Sequence, residues 1–147
     1  MTKKKILIAT GGTGGHVIPA YSLANFLTNN DYDVTVTSDY RGLNFINKYK
    51  NLNMKILPTS PLIKKNFIKL LVSMSIILFS IIKSFFILLF NRPLVVFGMG
   101  GYSSFPICIA ASILRIKIVI YENNLIIGKA NKYLLPFAKK IFVSYKE

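Results

Sequence analysis

Three short clusters hold most of the side chains in this 147-residue chain that could do chemistry. They are residues 11–16 (GGTGGH), 98–104 (GMGGYSS) and 121–124 (YENN). Glycine turns let backbone N–H groups approach an anionic or sugar ligand, and a nearby histidine or carboxylate can move a proton or orient a hydroxyl. The clusters therefore predict a site for an anionic, hydroxyl-rich ligand.

His16 and Glu122 are the candidates for acid–base chemistry. His16 is the chain's only histidine and lies in a glycine turn with few neighbours in sequence to pack against. That setting favours a functional role over a loop-stabilising one. Glu122 is the one carboxylate between Tyr40 and Lys146. It could orient sugar hydroxyls or a catalytic histidine, and a plain surface glutamate is the alternative.

The second glycine cluster combines flexible backbone with the hydroxyl groups of Tyr102, Ser103 and Ser104. It could therefore contact a polar ligand through both backbone and side chains. The alternative is a strand-to-helix turn whose glycines only allow close packing.

Several other kinds of site are excluded or disfavoured. The dinucleotide fingerprint G-x-G-x-x-G is incomplete because Val17 stands at its third glycine, and no Gly-Lys-Ser/Thr ending marks a phosphate loop. Asp39 resembles a ribose-binding acid, but we predict it to be a turn residue. A single cysteine, Cys108, and a single histidine exclude a disulfide framework and disfavour a zinc site. We expect no metal and no cofactor.

Apolar runs and helical periodicities alternate along the chain and predict the elements that position these clusters. We expect strands at 6–10, 34–37, 55–57, 94–97, 116–121 and 141–144. We expect one helix around 21–27, a second that follows the cluster at 98–102 and ends at about 114, and a third over 130–137. This alternation indicates an α/β domain with a doubly wound parallel sheet, Rossmann-like, whose ligands bind at the carboxyl ends of the strands. Each cluster follows a strand. Pro19 is expected in the first turn of the first helix.

The apolar run that opens the chain is too short for an export signal. This favours a cytoplasmic protein.

The composition is both basic and apolar. The chain has 19 Lys+Arg against 5 Asp+Glu, a net charge of +14, 52% hydrophobic residues and a mean hydropathy of +0.48. This excludes a disordered basic tail and suggests an anionic partner, either nucleic acid or an acidic membrane surface. The basic residues are dispersed, which favours the membrane, and we expect no nucleic acid.

The segment of about 62–90 is the most apolar part of the chain. Residues 70–90 carry a single charge, Lys83, and are long enough to cross a hydrocarbon core of about 30 Å. At about 100° per residue, the polar residues nevertheless share one stripe. They are Lys65, Asn66, Lys69, Ser73, Ser80, Lys83 and Ser84.

The stripe predicts an amphipathic helix or helix pair whose apolar face lies against the sheet or in the lipid interface. Lys64, Lys65, Lys69 and Lys83 would attract anionic headgroups. A buried core helix and a membrane span are the alternatives.

Three motifs resemble the N-terminal half of glycosyltransferase family 28, in order and in spacing. They are residues 11–20 (GGTGGHVIPA), 98–106 (GMGGYSSFP) and 122–131 (ENNLIIGKAN). The family's inverting enzymes transfer N-acetylglucosamine from UDP-N-acetylglucosamine to lipid I and so make lipid II for peptidoglycan. The resemblance covers essentially the whole chain and implies one half of a GT-B architecture, with the acceptor on the N-terminal domain and the donor on the C-terminal domain.

The resemblance also implies roles for particular residues. His16 would be the general base or would position one, and Glu122 would be the second catalytic candidate, ordering the acceptor side of the cleft. Asn123 and Asn131 would help in this ordering, and Tyr102 would border the cleft. The acceptor diphosphate would lie among Gly11, Gly12, Thr13, Gly14, Gly15, Gly98, Gly100, Gly101 and Ser103.

The resemblance further implies partners and a location. We expect residues 1–147 to be a single acceptor-binding domain with the donor-binding domain absent, so that the chain alone is inactive. The donor domain would come in cis or as a separate chain. The protein would lie peripherally on the cytoplasmic face of the inner (plasma) membrane and take lipid I. The alternatives are the membrane-associated acceptor subunit of a two-chain sugar transferase and a non-catalytic Rossmann module that binds anions or nucleic acid.

Overall fold

A computed structural model describes residues 3–46, 52–61 and 66–145 of the chain. Six parallel strands form one sheet in the order β3-β2-β1-β4-β5-β6. They are β1 (Lys5–Ala9), β2 (Asp33–Ser38), β3 (Asn53–Ile56), β4 (Val95–Gly98), β5 (Lys117–Glu122) and β6 (Lys140–Val143). The doubly wound, Rossmann-like α/β fold predicted from the sequence is therefore confirmed.

Helices connect the strands and cover both faces of the sheet. They are α1 (Gly14–Asn29), α2 (Tyr40–Ile46), α3 (Phe67–Asn91), α4 (Ser104–Ile113) and α5 (Lys129–Leu134), with a 3-10 turn at Leu135–Phe137. The chain runs outward from β1 to β3 and then returns to start β4 on the other side of β1. The loops after β1 and β4 therefore diverge at the switch point, which is where such sheets bind ligands.

Strand β1 lies at the centre of the core and is buried on both faces. Ile6 and Ile8 pack with Ala20 and Ala24 of α1. Leu7 contributes to the opposite cluster, which holds residues of α3, α4 and α5. Burial on both faces explains why the strand is a continuous apolar run and does not alternate with polar residues.

Two local predictions are wrong, and one helix was missed. Pro19 lies inside α1, because the helix begins earlier, at Gly14. The helix α2 was not predicted, since it has only seven residues and its start depends on a capping carboxylate that precedes it. The helix predicted over 130–137 ends as an α-helix at Leu134 and continues as a 3-10 turn that contains Pro136.

Helix α3 turns the serines of its polar stripe inward, whereas Asn66, Lys69 and Lys83 of the stripe are exposed. Its buried residues are Ser73, Ser80, Ser84 and Leu88. Ser80 Oγ donates to the Pro58 carbonyl oxygen, and Lys83 Nζ donates to the Ile56 carbonyl oxygen over 2.9 Å. The end of β3 and the segment that follows it therefore run beside α3 and supply partners for Ser80 and Lys83.

The opposite side of α3 is apolar and exposed. Its exposed large side chains are Phe67, Ile68, Leu71, Val72, Met74, Leu78, Phe79, Ile82, Phe86 and Phe90. We call these ten residues the apolar face of α3. Within the described part of the chain, α3 is the one helix long and apolar enough to cross a membrane, with a mean hydropathy of 2.3 over its most apolar window. The sequence left open whether this face meets the sheet or the surroundings, and the structure places it outside.

Candidate functional site

The loops that follow β1, β4 and β5 meet at the carboxyl edge of the sheet. The His16 ring lies directly against the turn after β4, because a Cβ atom on Gly100 would stand only 2.8 Å from His16 Nδ1. Gly100 and Gly101 also have positive φ angles of 91° and 75°, which favour glycine. Glycine at these positions therefore allows the backbone to form the turn and allows the His16 ring to pack against it.

Pro19 explains how the β5 loop is tied to α1. A proline has no N–H, so the carbonyl oxygen of Gly15, four residues earlier, receives no helical hydrogen bond from it. That oxygen instead accepts a 2.8 Å hydrogen bond from Asn123 Nδ2. Asn123 therefore holds the first turn of α1 at a fixed place beside the Glu122 loop.

Glu122 is buried, with 3% of its surface exposed, and both its oxygens are occupied. Oε1 accepts from the Asn124 N–H and side-chain amide at 3.0 and 2.7 Å. Oε2 accepts from the Gly128 N–H at 2.9 Å and from Asn131 Nδ2 at 3.0 Å. The carboxylate therefore organises the whole turn between β5 and α5.

The same hydrogen bonds set the charge of Glu122. Burial alone would raise the pKa of this carboxyl, but hydrogen bonds from Gly128, Asn124 and Asn131 outweigh burial and hold the pKa below its ordinary value. An ionised carboxylate with both oxygens bonded orients its neighbours more readily than it takes up a proton. The geometry thus favours a positioning role, and contact of Glu122 with a substrate stays a prediction.

A cavity of about 310 Å³ lies between His16 and the Glu122 turn. It is lined by His16, Gly101, Tyr102, Glu122, Asn124, Gly128, Lys129, Ala130 and Asn131. Two of these residues have a buried polar atom with no hydrogen-bond partner in the described part of the chain, namely His16 Nδ1 and Asn131 Oδ1. Buried polar atoms are nearly always paired, so these two atoms are the unsatisfied part of the polar surroundings of this cavity.

Asp39 is a buried residue whose carboxylate accepts several hydrogen bonds, and not the simple turn residue that we predicted. It is 4% exposed. Its Oδ1 accepts from the Gly12 and Gly42 N–H groups at 2.9 and 2.8 Å, and its Oδ2 accepts from Arg41 Nε and Nη2 at 3.0 and 2.9 Å. Thr59 Oγ1 donates to the same oxygen at 3.3 Å. The carboxylate thus caps α2 and holds the glycine turn after β1.

The pKa of Asp39 follows from these contacts. Burial alone would raise the pKa of the carboxyl, but the hydrogen bonds from Gly12, Gly42 and Arg41, together with the charge of Arg41, outweigh it. The pKa is therefore held below its ordinary value of 3.8.

The remaining predicted residues have different surroundings. Thr13 is the exposed N-cap of α1, and Gly14 and Gly15 form the helix's first turn. Ser103 is buried, its Oγ has no partner among the described residues, and it lies so close to Gly11 that a Cβ there would clash with it. Gly98 serves packing, because a Cβ atom there would stand 2.9 Å from Cys108 Sγ.

The predicted membrane lysines are only partly described. Lys69 is exposed on α3, and Lys83 is bonded to a backbone carbonyl. Lys64 and Lys65 lie outside the described residues. Their contact with a membrane stays a prediction.

Sequence reasoning did not place Arg41 at this edge, and it gave Asn124, Gly128 and Lys129 no individual role within the third motif. Asn124 and Gly128 come within the third motif, so their proximity to Glu122 could have signalled them. Nothing in the sequence pattern singles out Arg41, since its contact with the glycine turn is made through Asp39. Among the described residues, no group of three or more histidine, cysteine, aspartate or glutamate side chains could hold a metal ion.

The sheet order, the helices on both faces and the ligand-facing loops define the class as a Rossmann-like domain of the GT-B fold. The crystal structure of Acinetobacter baumannii MurG matches 99% of this chain, and 42% of that chain, with a TM-score of 0.83 and 26% sequence identity. A UDP-N-acetylglucosamine 2-epimerase from Neisseria meningitidis matches with a TM-score of 0.66 at 17% identity over 95% of this chain and 39% of that chain, which shows a shared fold alone.

The model of the glycosyltransferase family 28 N-terminal domain matches residues 6–143, and the chain belongs to this family. A Pelagibacter ubique protein is 42% identical over 95% of this chain, and a Rickettsia felis protein is 39% identical over 98%. Both relatives are named UDP-N-acetylglucosamine--N-acetylmuramyl-(pentapeptide) pyrophosphoryl-undecaprenol N-acetylglucosamine transferase. The chain spans 38% and 39% of their respective lengths.

The lowered pKa of Asp39 predicts a loss of stability in acid. Its ionised carboxylate stabilises the fold above the unfolded-state pKa, and this contribution disappears as the pH falls through the lower folded-state value. Asp39→Asn should therefore lower the free energy of unfolding at neutral pH and flatten its dependence on pH below about 4. Urea denaturation across that range measures both effects.

Asp31→Asn is the matched control, because the Asp31 side chain is 90% exposed and, among the described residues, forms an ion pair with Lys3 alone, at 3.4 Å. It should leave the pH dependence close to that of the unaltered chain. If Asp39→Asn left the dependence of the free energy of unfolding on acid pH unchanged, the lowered pKa of Asp39 would be contradicted.

Proposed function

We propose that this chain is the acceptor-binding part of an inverting N-acetylglucosaminyltransferase that makes lipid II from lipid I for peptidoglycan. The donor, UDP-N-acetylglucosamine, is held by a further domain in the same protein or in a separate chain. The observation that carries the proposal is the cavity at the carboxyl edge, where His16 and Asn131 each present an unpartnered buried atom beside the ordered Glu122 turn. The names of the relatives and the family match support it.

The reaction needs few groups from this domain. The muramyl 4-hydroxyl oxygen forms a bond to C1 of N-acetylglucosamine while the bond from C1 to the UDP oxygen breaks on the opposite face. The hydroxyl proton must leave the acceptor as this happens. The His16 imidazole lines the cavity and takes that proton or positions the hydroxyl for another base. Glu122 and Asn131 keep the facing wall of the cavity in place through their 3.0 Å hydrogen bond.

The acceptor's diphosphate lies against the glycine turn and the start of α1. The helix has sixteen residues and no acidic residue in its own first turn, so its N-terminal N–H groups face an anion without a competing charge from the helix itself. The N-cap Thr13 makes no side-chain capping bond that would occupy those groups. The positive φ angles of Gly11 and Gly12, 148° and 81°, shape the turn that presents them.

The apolar face of α3 provides the contact with the membrane. A helix in water normally turns its polar side outward, whereas α3 buries serines and exposes phenylalanines such as Phe79, which is 59% exposed. A lipid interface reverses this preference. We infer peripheral contact with the cytoplasmic face of the plasma membrane, assisted by the net charge of +14. This contact would keep the cavity close to the membrane that carries lipid I.

Binding of lipid I tests the proposed acceptor. The 147-residue chain should bind lipid I in detergent micelles, and Glu122→Gln should weaken this affinity about tenfold. The reason is that the new amide group would face donors from Asn124 or from Gly128 and Asn131, so the turn loses hydrogen bonds. Isothermal titration calorimetry measures the affinity, and thermal unfolding confirms that the variant is folded.

Asp31→Asn again serves as the control, since Asp31 is an exposed residue outside the cavity. It should bind lipid I as the unaltered chain does. A chain that fails to bind lipid I, or that binds it equally well after Glu122→Gln, would contradict the proposal.

Binding to vesicles tests the membrane contact. Phe79→Ser should lower the chain's affinity for phosphatidylglycerol vesicles about tenfold, because a large exposed side chain no longer enters the interface. Phe26→Ser is the matched control: Phe26 is 63% exposed but lies on α1, across the sheet from α3. Co-sedimentation measures both. Equal losses in the two variants, or no binding to anionic vesicles at all, would argue against α3 as the contact.

A further inference from the structure

The Arg41 guanidinium lies at the carboxyl edge of the sheet, beside the glycine turn after β1. A Cβ atom on Gly12 would stand 3.7 Å from Arg41 Nη2. Gly12 belongs to the turn that leads into α1, and Arg41 belongs to the first turn of α2. Two elements separated in sequence therefore bring a cation to the turn where the proposed function places an anion.

Asp39 fixes the direction of this cation. Its Oδ2 accepts from both Nε and Nη2 of Arg41, while its Oδ1 accepts from the Gly12 N–H. One buried carboxylate thus ties the guanidinium and the glycine turn into a single unit. A long arginine side chain usually loses much freedom on binding a ligand, and a guanidinium held in advance loses less.

The ion pair is not needed to satisfy Asp39. Two backbone N–H groups and the Thr59 hydroxyl already donate to the carboxylate. The Arg41 side chain is 58% exposed, so solvent screens much of its attraction to the buried Asp39 carboxylate and limits what the pair contributes to stability. Stability alone therefore gives a weak reason for an arginine at this position.

The guanidinium keeps donors for a further partner. Asp39 occupies Nε–H and one N–H of Nη2, and the other N–H groups find no acceptor in residues 3–46, 52–61 and 66–145. These donors lie in the plane of the guanidinium, which matches the spacing of phosphate oxygens. The glycine turn alone supplies only uncharged N–H groups, whereas each phosphate of a diphosphate bridge carries negative charge.

We propose that Arg41, held in place by Asp39, binds the diphosphate of the acceptor and supplies the positive charge that the glycine turn lacks. This inference rests on the proposed function, because it names a residue for the same acceptor. Asp39 is then a positioning residue, which acts on the diphosphate through Arg41 and the Gly12 N–H.

Calorimetric titration with farnesyl diphosphate, a soluble prenyl diphosphate, tests this assignment on the 147-residue chain. Arg41→Gln should weaken binding about tenfold, which is the size expected for one charge-assisted contact. Arg41→Lys keeps the positive charge but loses the planar arrangement of donors. Its affinity for farnesyl diphosphate should therefore lie between that of the unaltered chain and that of Arg41→Gln. Farnesyl monophosphate should bind the unaltered chain more weakly than farnesyl diphosphate does. Its affinity should also fall by a smaller factor on Arg41→Gln.

Lys117→Gln is the matched control for charge. Lys117 is exposed at the amino end of β5, at the opposite edge of the sheet, so its loss should change the affinity by less than about twofold. An equal loss of affinity for farnesyl diphosphate in Lys117→Gln and Arg41→Gln would overturn the inference. It would show that the basic chain attracts the anion through its overall charge alone.

Chemical labelling gives a second measurement that needs no variant. Phenylglyoxal reacts with exposed arginines, and the chain has three: Arg41, Arg92 and Arg115. Farnesyl diphosphate should slow the labelling of Arg41 severalfold and leave Arg92 and Arg115 unchanged, as mass spectrometry would show.

The outcomes separate this inference from the proposed function. If the unaltered chain binds farnesyl diphosphate but Arg41→Gln binds it equally well and labelling of Arg41 is not slowed, the role of Arg41 is wrong and the acceptor proposal stands. If the unaltered chain binds neither farnesyl diphosphate nor lipid I, both are wrong.

Discussion

Hydrogen bonds from neutral donors to two buried carboxylates hold the loops at the carboxyl edge of this domain. Asp39 binds the N–H groups of Gly12 and Gly42, and Glu122 binds those of Asn124 and Gly128. A buried carboxylate is costly unless its oxygens are bonded, so each loop and its carboxylate depend on each other. Glycine turns have little structure of their own, and these bonds give them one conformation.

The two carboxylates lie on either side of the central glycine turn. Asp39 follows β2 and Glu122 ends β5, whereas the turn itself follows β1. Asn123 adds a third tie by donating to the Gly15 carbonyl oxygen that Pro19 leaves free. His16 thereby receives a fixed place against Gly100, beside the cavity.

Helix α3 is the element through which we propose that this site contacts a membrane. Ser73 and Ser80 are bonded to the Ser60 hydroxyl and the Pro58 carbonyl oxygen of the segment after β3, while the apolar face of α3 is exposed. In water such a face would be a liability, whereas at a lipid interface it would form the contact. The arrangement suits a protein whose acceptor is itself anchored in the membrane.

Much of this could be predicted from the sequence, because the relevant signals are local. Apolar runs and glycine turns predicted the strands and the loops that follow them, and the motifs predicted the family. Long-range contacts left no such signal. The bond from Gly12 to Asp39 spans 27 positions in the chain, so Asp39 resembled an ordinary turn residue. The stripe on α3 showed which residues share a side, but only packing against α4 and against the chain around Ile56 and Pro58 decides which side faces the protein.

We propose that the three loops at the carboxyl edge form one acceptor site. Two-dimensional NMR of the amide groups during a titration with lipid I in micelles would locate the bound acceptor. We expect the largest shifts, beyond those caused by empty micelles, to fall together in residues 11–16, 98–103 and 122–131. Shifts at the amino ends of the strands, or shifts confined to α3, would contradict it.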